Sequence, residues 1–118
     1  MNNELNSNKA TVMGGGSFGT AIANILAENG FQVCQWMRNE QTISDMNNEH
    51  ENKKYLPGVQ LNEGIEATSD MKSAIADSSV IFYAIPSQSF REIVEKTLGI
   101  VSKDQILIST TKGIEPQG

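Results

Sequence analysis

The sequence predicts an α/β fold, a doubly wound parallel sheet, on three observations. Apolar runs with strand character alternate with segments of helical period along the chain. The run at residues 79–85, SVIFYAI, is apolar nearly throughout, as a strand covered on both faces requires. A glycine cluster, GGGSFG at residues 14–19, stands between the first apolar run and the first helical segment. Parallel strands joined by right-handed crossovers need this alternation.

The elements follow in order. Residues 1–9 read as a flexible polar tail, and residues 10–13 as the first strand, ending at the glycines. Phe18, Ala21, Ile22, Ile25 and Leu26 have the spacing of an amphipathic helix of about three turns, which Gly30 stops. Residues 31–36, FQVCQW, form the second strand; Arg38 and Asn39 follow, then a weak helix carrying Ile43 and Met46. Residues 47–54, NNEHENKK, read as a solvated loop or a fraying helix end, with His50 exposed and without a catalytic role. Tyr55 and Leu56 lead into the Pro57-Gly58 turn and carry apolar side chains with them, which predicts a loop tucked against the body. Residues 65–68 make a marginal third strand, and Ser69 is placed to cap a short helix through Met71, Ala74 and Ile75. Pro86 ends the fourth strand. Ser89 and Glu92 have the spacing of a capping box, and Phe90, Ile93, Val94 and Leu98 continue at helical intervals to Gly99. Residues 105–109 are the last strand, followed by TTKGIEPQG.

Composition bounds the function. At 118 residues, 38% of them hydrophobic, the chain supports one core. No stretch approaches the roughly 18 consecutive apolar residues of a membrane span, and the polar opening lacks the pattern of a secretory signal, so a cytoplasmic location is expected. The single cysteine, Cys34, has no disulfide partner and no cluster of metal ligands around it in sequence. No metal site is expected. A net charge of -5, with nine Lys and Arg spread along the chain, argues against a nucleic-acid partner. An anionic ligand must then be held by backbone amides and a few cations. Ser87, Ser89 and Thr111 have no His and acid partners arranged for nucleophilic work, which argues against a hydrolase.

Gly14, Gly16 and Gly19 stand as G-x-G-x-x-G directly after a predicted strand and at the opening of a predicted helix, the arrangement of a Rossmann-type dinucleotide-binding turn. The first glycine permits the bend, the second lets the backbone approach a diphosphate, and the third brings helix and sheet together. The phosphates then face the helix N-terminus, where unpaired amides and the positive dipole end lie. The amides of Ser17 and Phe18 sit within reach of phosphate oxygens; the Phe18 side chain serves either the core or the cofactor. At the end of the second strand the sequence has Arg38 where an NAD site usually carries an acidic residue. An arginine there holds a 2′-phosphate or stacks on adenine, which favours NADP, while Glu40 keeps NAD open and a merely solvated cation is the plain alternative.

The ordered set GGGSFGTA, the W-x-R that closes the second strand, N-x-x-Y-L-P-G at residues 52–58, I-P-S at 85–87 and T-K-G-I-E at 111–115 resembles the bacterial NAD(P)-dependent glycerol-3-phosphate dehydrogenase family over nearly the whole chain after residue 9. YLPG and TKGIE discriminate best. The resemblance implies hydride transfer between a nicotinamide cofactor and the C2 position of glycerol 3-phosphate or dihydroxyacetone phosphate, in glycerophospholipid synthesis. Position by position it implies that Ser17, Phe18 and Arg38 bind the cofactor and that Lys112 lies near both nicotinamide and substrate. Independently, Lys112 follows the last predicted strand at the carboxyl edge, where a lysine can neutralise a phosphate or polarise a carbonyl; an ordinary exposed lysine is the alternative. Pro86 and Ser87 border the nicotinamide ribose at the equivalent edge, or Pro86 only stops the strand. Tyr55 reaches the cofactor from its loop or packs as an aromatic.

Members of that family carry a further helical domain, with a second lysine as general acid or base. Residues 10–118 are therefore expected to be an incomplete dinucleotide-binding domain that does not turn over substrate alone. Its open sheet edge and helix faces invite self-association, in the simplest case as a homodimer. The competing readings are another dehydrogenase of the same fold, of the 3-hydroxyacid or ketopantoate reductase type, and a non-catalytic dinucleotide-sensing module.

Overall fold

A computed structural model describes residues 5–109. The elements run β1 (Asn6–Met13), α1 (Ser17–Glu28), β2 (Gln32–Trp36), α2 (Glu40–Glu49), β3 (Ile65–Thr68), α3 (Met71–Ile75), β4 (Ser78–Tyr83), α4 (Ser87–Leu98) and β5 (Ile106–Ser109). The strands form one parallel sheet in the order β3-β2-β1-β4-β5. This is the expected doubly wound arrangement, and its order reverses between β1 and β4. The lysine-bearing TKGIE segment, with Lys112, lies outside the described residues.

Two cores cover the two faces of the sheet. Val12, Val33, Ile65 and Ala67 pack with Ala23 and Ala27 of α1 and Met46 of α2, whereas Met13, Trp36, Ile81 and Tyr83 pack with Ala74 and Ile75 of α3 and Ile93 of α4. Neighbouring strand residues such as Val12 and Met13 supply opposite faces because side chains alternate along a strand. Among the described residues no helix is long and apolar enough to cross a membrane.

Several expected boundaries are corrected. The tail read over residues 1–9 gives way to strand from Asn6: β4 provides a partner on one side, and the Lys9 ammonium bonds the carbonyls of Ser73 and Ala76 at the end of α3. In α1 the spacing is helical but the buried face is rotated. Gly19, Thr20, Ala23 and Ala27 face the sheet, while Phe18 and Ile25 are exposed. Small residues win that face because the helix approaches so closely that a Cβ on Gly19 would lie 2.7 Å from the Gly14 carbonyl oxygen. The cap of α3 is Asp70 rather than Ser69, its carboxylate accepting from the amides of Lys72 and Ser73. No capping box opens α4. Pro86 holds the extended N-cap position, so Ser89 and Glu92 fall inside the helix.

Candidate functional site

The turns that follow β1 and β4 are neighbours at the carboxyl edge of the sheet, and α1 and α4 leave them toward opposite faces. A crevice at such a reversal point is where open α/β sheets hold ligands. The Gly14 amide donates to the Trp36 carbonyl at 2.9 Å and the Ala84 amide to the Met13 carbonyl at 2.9 Å, which ties the two turns to the ends of their strands.

Each glycine of the first turn has its own environment. Gly14 has φ +132, and a Cβ there would sit 2.1 Å from the Ala84 carbonyl oxygen; only glycine takes this conformation and lets the two turns touch. A Cβ on Gly15 would lie 2.6 Å from Cβ of Met37. Gly16 differs, with φ -78 and nothing within 4 Å of where its Cβ would be. Its side-chain direction opens onto free space. Gly16 is also the N-cap of α1, no side chain caps the helix, and its first turn carries no acidic residue. The first bond within the helix runs from the Thr20 amide to the Gly16 carbonyl at 3.0 Å, so the amides of Ser17, Phe18 and Gly19 have no acceptor in their own helix. Unpaired amides and the positive end of the helix dipole come together at this N-terminus, beside the space that the missing Cβ leaves. The cradle fits a diphosphate.

The other expected site residues are distributed around it. Arg38 follows β2 with its guanidinium 5.5 Å from the centroid of the Trp36 ring and 3.8 Å from the Glu92 carboxylate of α4, both charged side chains being 58% exposed. So exposed a pair contributes little stability and leaves Arg38 open to another anion. Glu92 also pairs with Lys96 at 3.4 Å. Phe18 is 50% exposed and Tyr55 48%, so neither ring lies in the core of the described residues. The Tyr55 ring has the Lys54 ammonium 5.3 Å away. Pro86 and Ser87 are exposed at the start of α4, whose first turn is likewise without a side-chain cap or an acidic residue.

The polar run at residues 47–54 is not simply solvated. Asn52 within it is fully buried and donates to the Gly15 carbonyl at 2.9 Å and to the Thr20 hydroxyl at 2.8 Å. Gln35 of β2, also fully buried, donates to the Gly14 carbonyl at 2.8 Å and to the same hydroxyl at 3.1 Å. Nothing in the spacing of the glycine motif points to either residue. The one usable signal for Asn52 is its place at the head of N-x-x-Y-L-P-G, where its side chain accepts from the Tyr55 amide at 3.1 Å and starts the loop. His50, expected to be exposed, is half-buried in the left-handed conformation at φ 55 that ends α2, and its carbonyl accepts from the Leu61 amide.

Two groups of the sheet hold their protons more firmly than usual. Burial pushes the Cys34 thiol up, against the opposing charge of Lys9 and with a smaller push from Glu66. Burial likewise raises the Tyr83 phenol, against the effect of its 2.8 Å hydrogen bond with Thr97. Among the described residues no group of three or more His, Cys, Asp or Glu is placed to hold a metal ion.

Comparison with known proteins agrees with this geometry. Residues 9–118 match the family described as NAD-dependent glycerol-3-phosphate dehydrogenase N-terminus. The chain is 48% identical over 110 residues to glycerol-3-phosphate dehydrogenase (NAD(P)+) of Teredinibacter turnerae, a match covering 93% of this chain and 32% of that protein. Among solved structures it resembles glycerol-3-phosphate dehydrogenase from Coxiella burnetii, with a TM-score of 0.84 at 28% identity over 92% of this chain and 33% of that one. The Saccharomyces cerevisiae glycerol-3-phosphate dehydrogenase gives a TM-score of 0.84 at 32% identity, covering 93% and 35% of the two chains. The chain thus spans about a third of the length of the curated relatives it matches.

Proposed function

The chain belongs to the NAD-dependent glycerol-3-phosphate dehydrogenase family, matching its N-terminal region, and on that premise we propose that residues 10–118 form part of the dinucleotide-binding domain of such an enzyme. The whole protein then moves a hydride between NAD(P)H and dihydroxyacetone phosphate, yielding glycerol 3-phosphate for glycerophospholipid synthesis. One observation carries the reading: the glycine turn at the β1/β4 reversal leaves free space in front of Gly16 and of the uncapped start of α1.

The diphosphate lies against the amides of the glycine turn and of Ser17 and Phe18, with Gly14 and Gly19 closing the turn behind it. Arg38 takes the adenosine end, where its charge and planar fork suit a 2′-phosphate and its plane suits adenine. That favours NADP over NAD. Phe18 and Tyr55 flank the cofactor with exposed rings, and Pro86 and Ser87 border the nicotinamide ribose. Lys112 neutralises the substrate phosphate or polarises the carbonyl oxygen that gains charge as hydride arrives. The cofactor, when bound, supplies the hydride itself.

Gly16→Ala tests the cradle directly. Its φ of -78 is ordinary for an L-residue and nothing stands within 4 Å, so the variant folds as the parent does, yet its methyl occupies the diphosphate's space. Calorimetric titration is expected to give NADPH and NADH binding to the parent and a loss of about tenfold or more in the variant, the scale of one displaced charge-assisted bond. Arg38→Ala should weaken NADPH more than NADH. Unchanged affinity in Gly16→Ala would remove the turn from the site, and equal affinities for both cofactors with and without Arg38 would remove the arginine.

A further inference from the structure

We propose that Gln35, Asn52 and Thr20 are positioning residues that aim the amides of the glycine turn at the ligand diphosphate, an inference that rests on the dinucleotide reading above. The peptide bonds among the described residues are trans, so each carbonyl points opposite to the amide that follows it in the same peptide plane. Gln35 draws the Gly14 carbonyl inward at 2.8 Å, which turns the Gly15 amide outward. Asn52 draws the Gly15 carbonyl inward at 2.9 Å, which turns the Gly16 amide outward. Neither side chain needs to touch the ligand. They act on the far side of the turn.

Thr20 links the two. Its hydroxyl accepts from both side-chain amides, at 3.1 Å from Gln35 and 2.8 Å from Asn52, while its own backbone amide makes the first bond of α1 to the Gly16 carbonyl. Three successive carbonyls, those of Gly14, Gly15 and Gly16, are therefore each engaged by this trio. Three amides, those of Gly15, Gly16 and Ser17, are left to face the other way. A peptide chain with glycines at 14, 15 and 16 has many conformations open to it, and without such ties the amides would sample directions away from a shared anion. Preorganised donors bind more tightly than donors that must be ordered on binding.

The trio is also costly in ways that packing alone does not explain. Gln35, Asn52 and Thr20 are all fully buried, in the layer between sheet and α1 where apolar side chains would otherwise meet. The Oε1 atom of Gln35 is buried without a hydrogen-bond partner among the described residues. The amide cannot be turned over to relieve it, because the Gly14 carbonyl needs the nitrogen as donor. Buried amides retained with an unmet acceptor point to a requirement on the turn itself.

The test compares ligands that contain the diphosphate with one that lacks it. Affinities for NADPH, ADP and adenosine are measured by titration monitored with amide NMR, for the parent, Asn52→Ala, Thr20→Val and Thr20→Ser. The trio's role predicts that Asn52→Ala loses about tenfold or more for NADPH and ADP alike and leaves adenosine unchanged. Thr20→Val should lose part of that affinity, and Thr20→Ser, which keeps the hydroxyl, should match the parent. In the parent, the Gly15 and Gly16 amide resonances shift on ADP addition. If Asn52→Ala melts below the working temperature, the Thr20 pair alone decides, since valine replaces threonine with little change of shape. ADP binding as tight in the folded variants as in the parent, or an equal loss for ADP and adenosine, overturns the proposal while leaving the dinucleotide reading intact. A parent that binds neither NADPH nor ADP overturns both.

Discussion

Gly14 and Gly16 occupy the same motif for opposite reasons, and substitution separates them. At Gly14 an added methyl meets backbone at 2.1 Å in a conformation, φ +132, that L-residues avoid. The clash is with a carbonyl rather than a flexible side-chain tip, so the two turns must part. Gly14→Ala should destabilise by on the order of 3 kcal/mol or more, combining backbone strain and overpacking. At Gly16 the same change removes only freedom from the unfolded chain and should be neutral or stabilise by up to about 1 kcal/mol. Urea unfolding of both variants checks this; equal stabilities would mean that the approach of Gly14 to Ala84 is not as close as described. The motif G-x-G-x-x-G located the turn in the sequence, yet a spacing pattern carries no account of what stands opposite each glycine. It was equally silent about Asn52. A single buried amide inside NNEHENKK is invisible to an argument from average polarity, because its partner carbonyls come from residues 15 and 20 and are brought there only by folding.

At the scale of elements, the alternation of strands and helices is legible because each depends on local periodicity, and among the described residues the elements occur in the order read. What was not legible was which side of an element meets which neighbour. The large apolar residues of α1 suggest its buried face, but the contact with β1 and β2 is too close for them, and Gly19, Thr20, Ala23 and Ala27 take it instead. The start of α3 falls one residue later than a Ser69 cap implies, because Asp70 prevails as a charged acceptor for two amides. The strands themselves also differ in a way that hydrophobicity hides. Ile81 of β4 is 0% exposed, between β1 and β5, whereas Ile106 of β5 is 61% exposed. Ile81→Ala should therefore cost about 2–5 kcal/mol through the cavity it leaves. Ile106→Ala should cost about 1 kcal/mol or less, the range of strand propensity at an exposed site. Chemical denaturation of the two variants under the same conditions gives the comparison, and similar losses would show β5 to be covered in solution.

For the whole molecule, the sheet order matters because it makes the site depend on both halves of the fold. The glycine turn belongs to β1 and α1, and the facing turn to β4 and α4, while the arginine comes from the end of β2. These parts meet only when the sheet is complete, so a ligand bound across them has no counterpart in the unfolded chain. Binding must then raise stability by RT ln(1 + [L]/Kd), about 2.7 kcal/mol at a ligand concentration one hundred times Kd. The acidic chain, at a net charge of -5, gives a polyanionic ligand no general attraction, so on the proposed reading this gain comes from the local amides and from Arg38. Thermal unfolding should accordingly shift upward with saturating NADPH, and by a smaller amount with ADP, which occupies the turn without the nicotinamide side. Gly16→Ala should start from a midpoint equal to or slightly above the parent's and gain about 1.4 kcal/mol or less at the same NADPH concentration, the consequence of a tenfold or greater loss of affinity. A shift as large in Gly16→Ala as in the parent would place the ligand elsewhere on the molecule, because in the folded state the substitution alters nothing but the space in front of that residue.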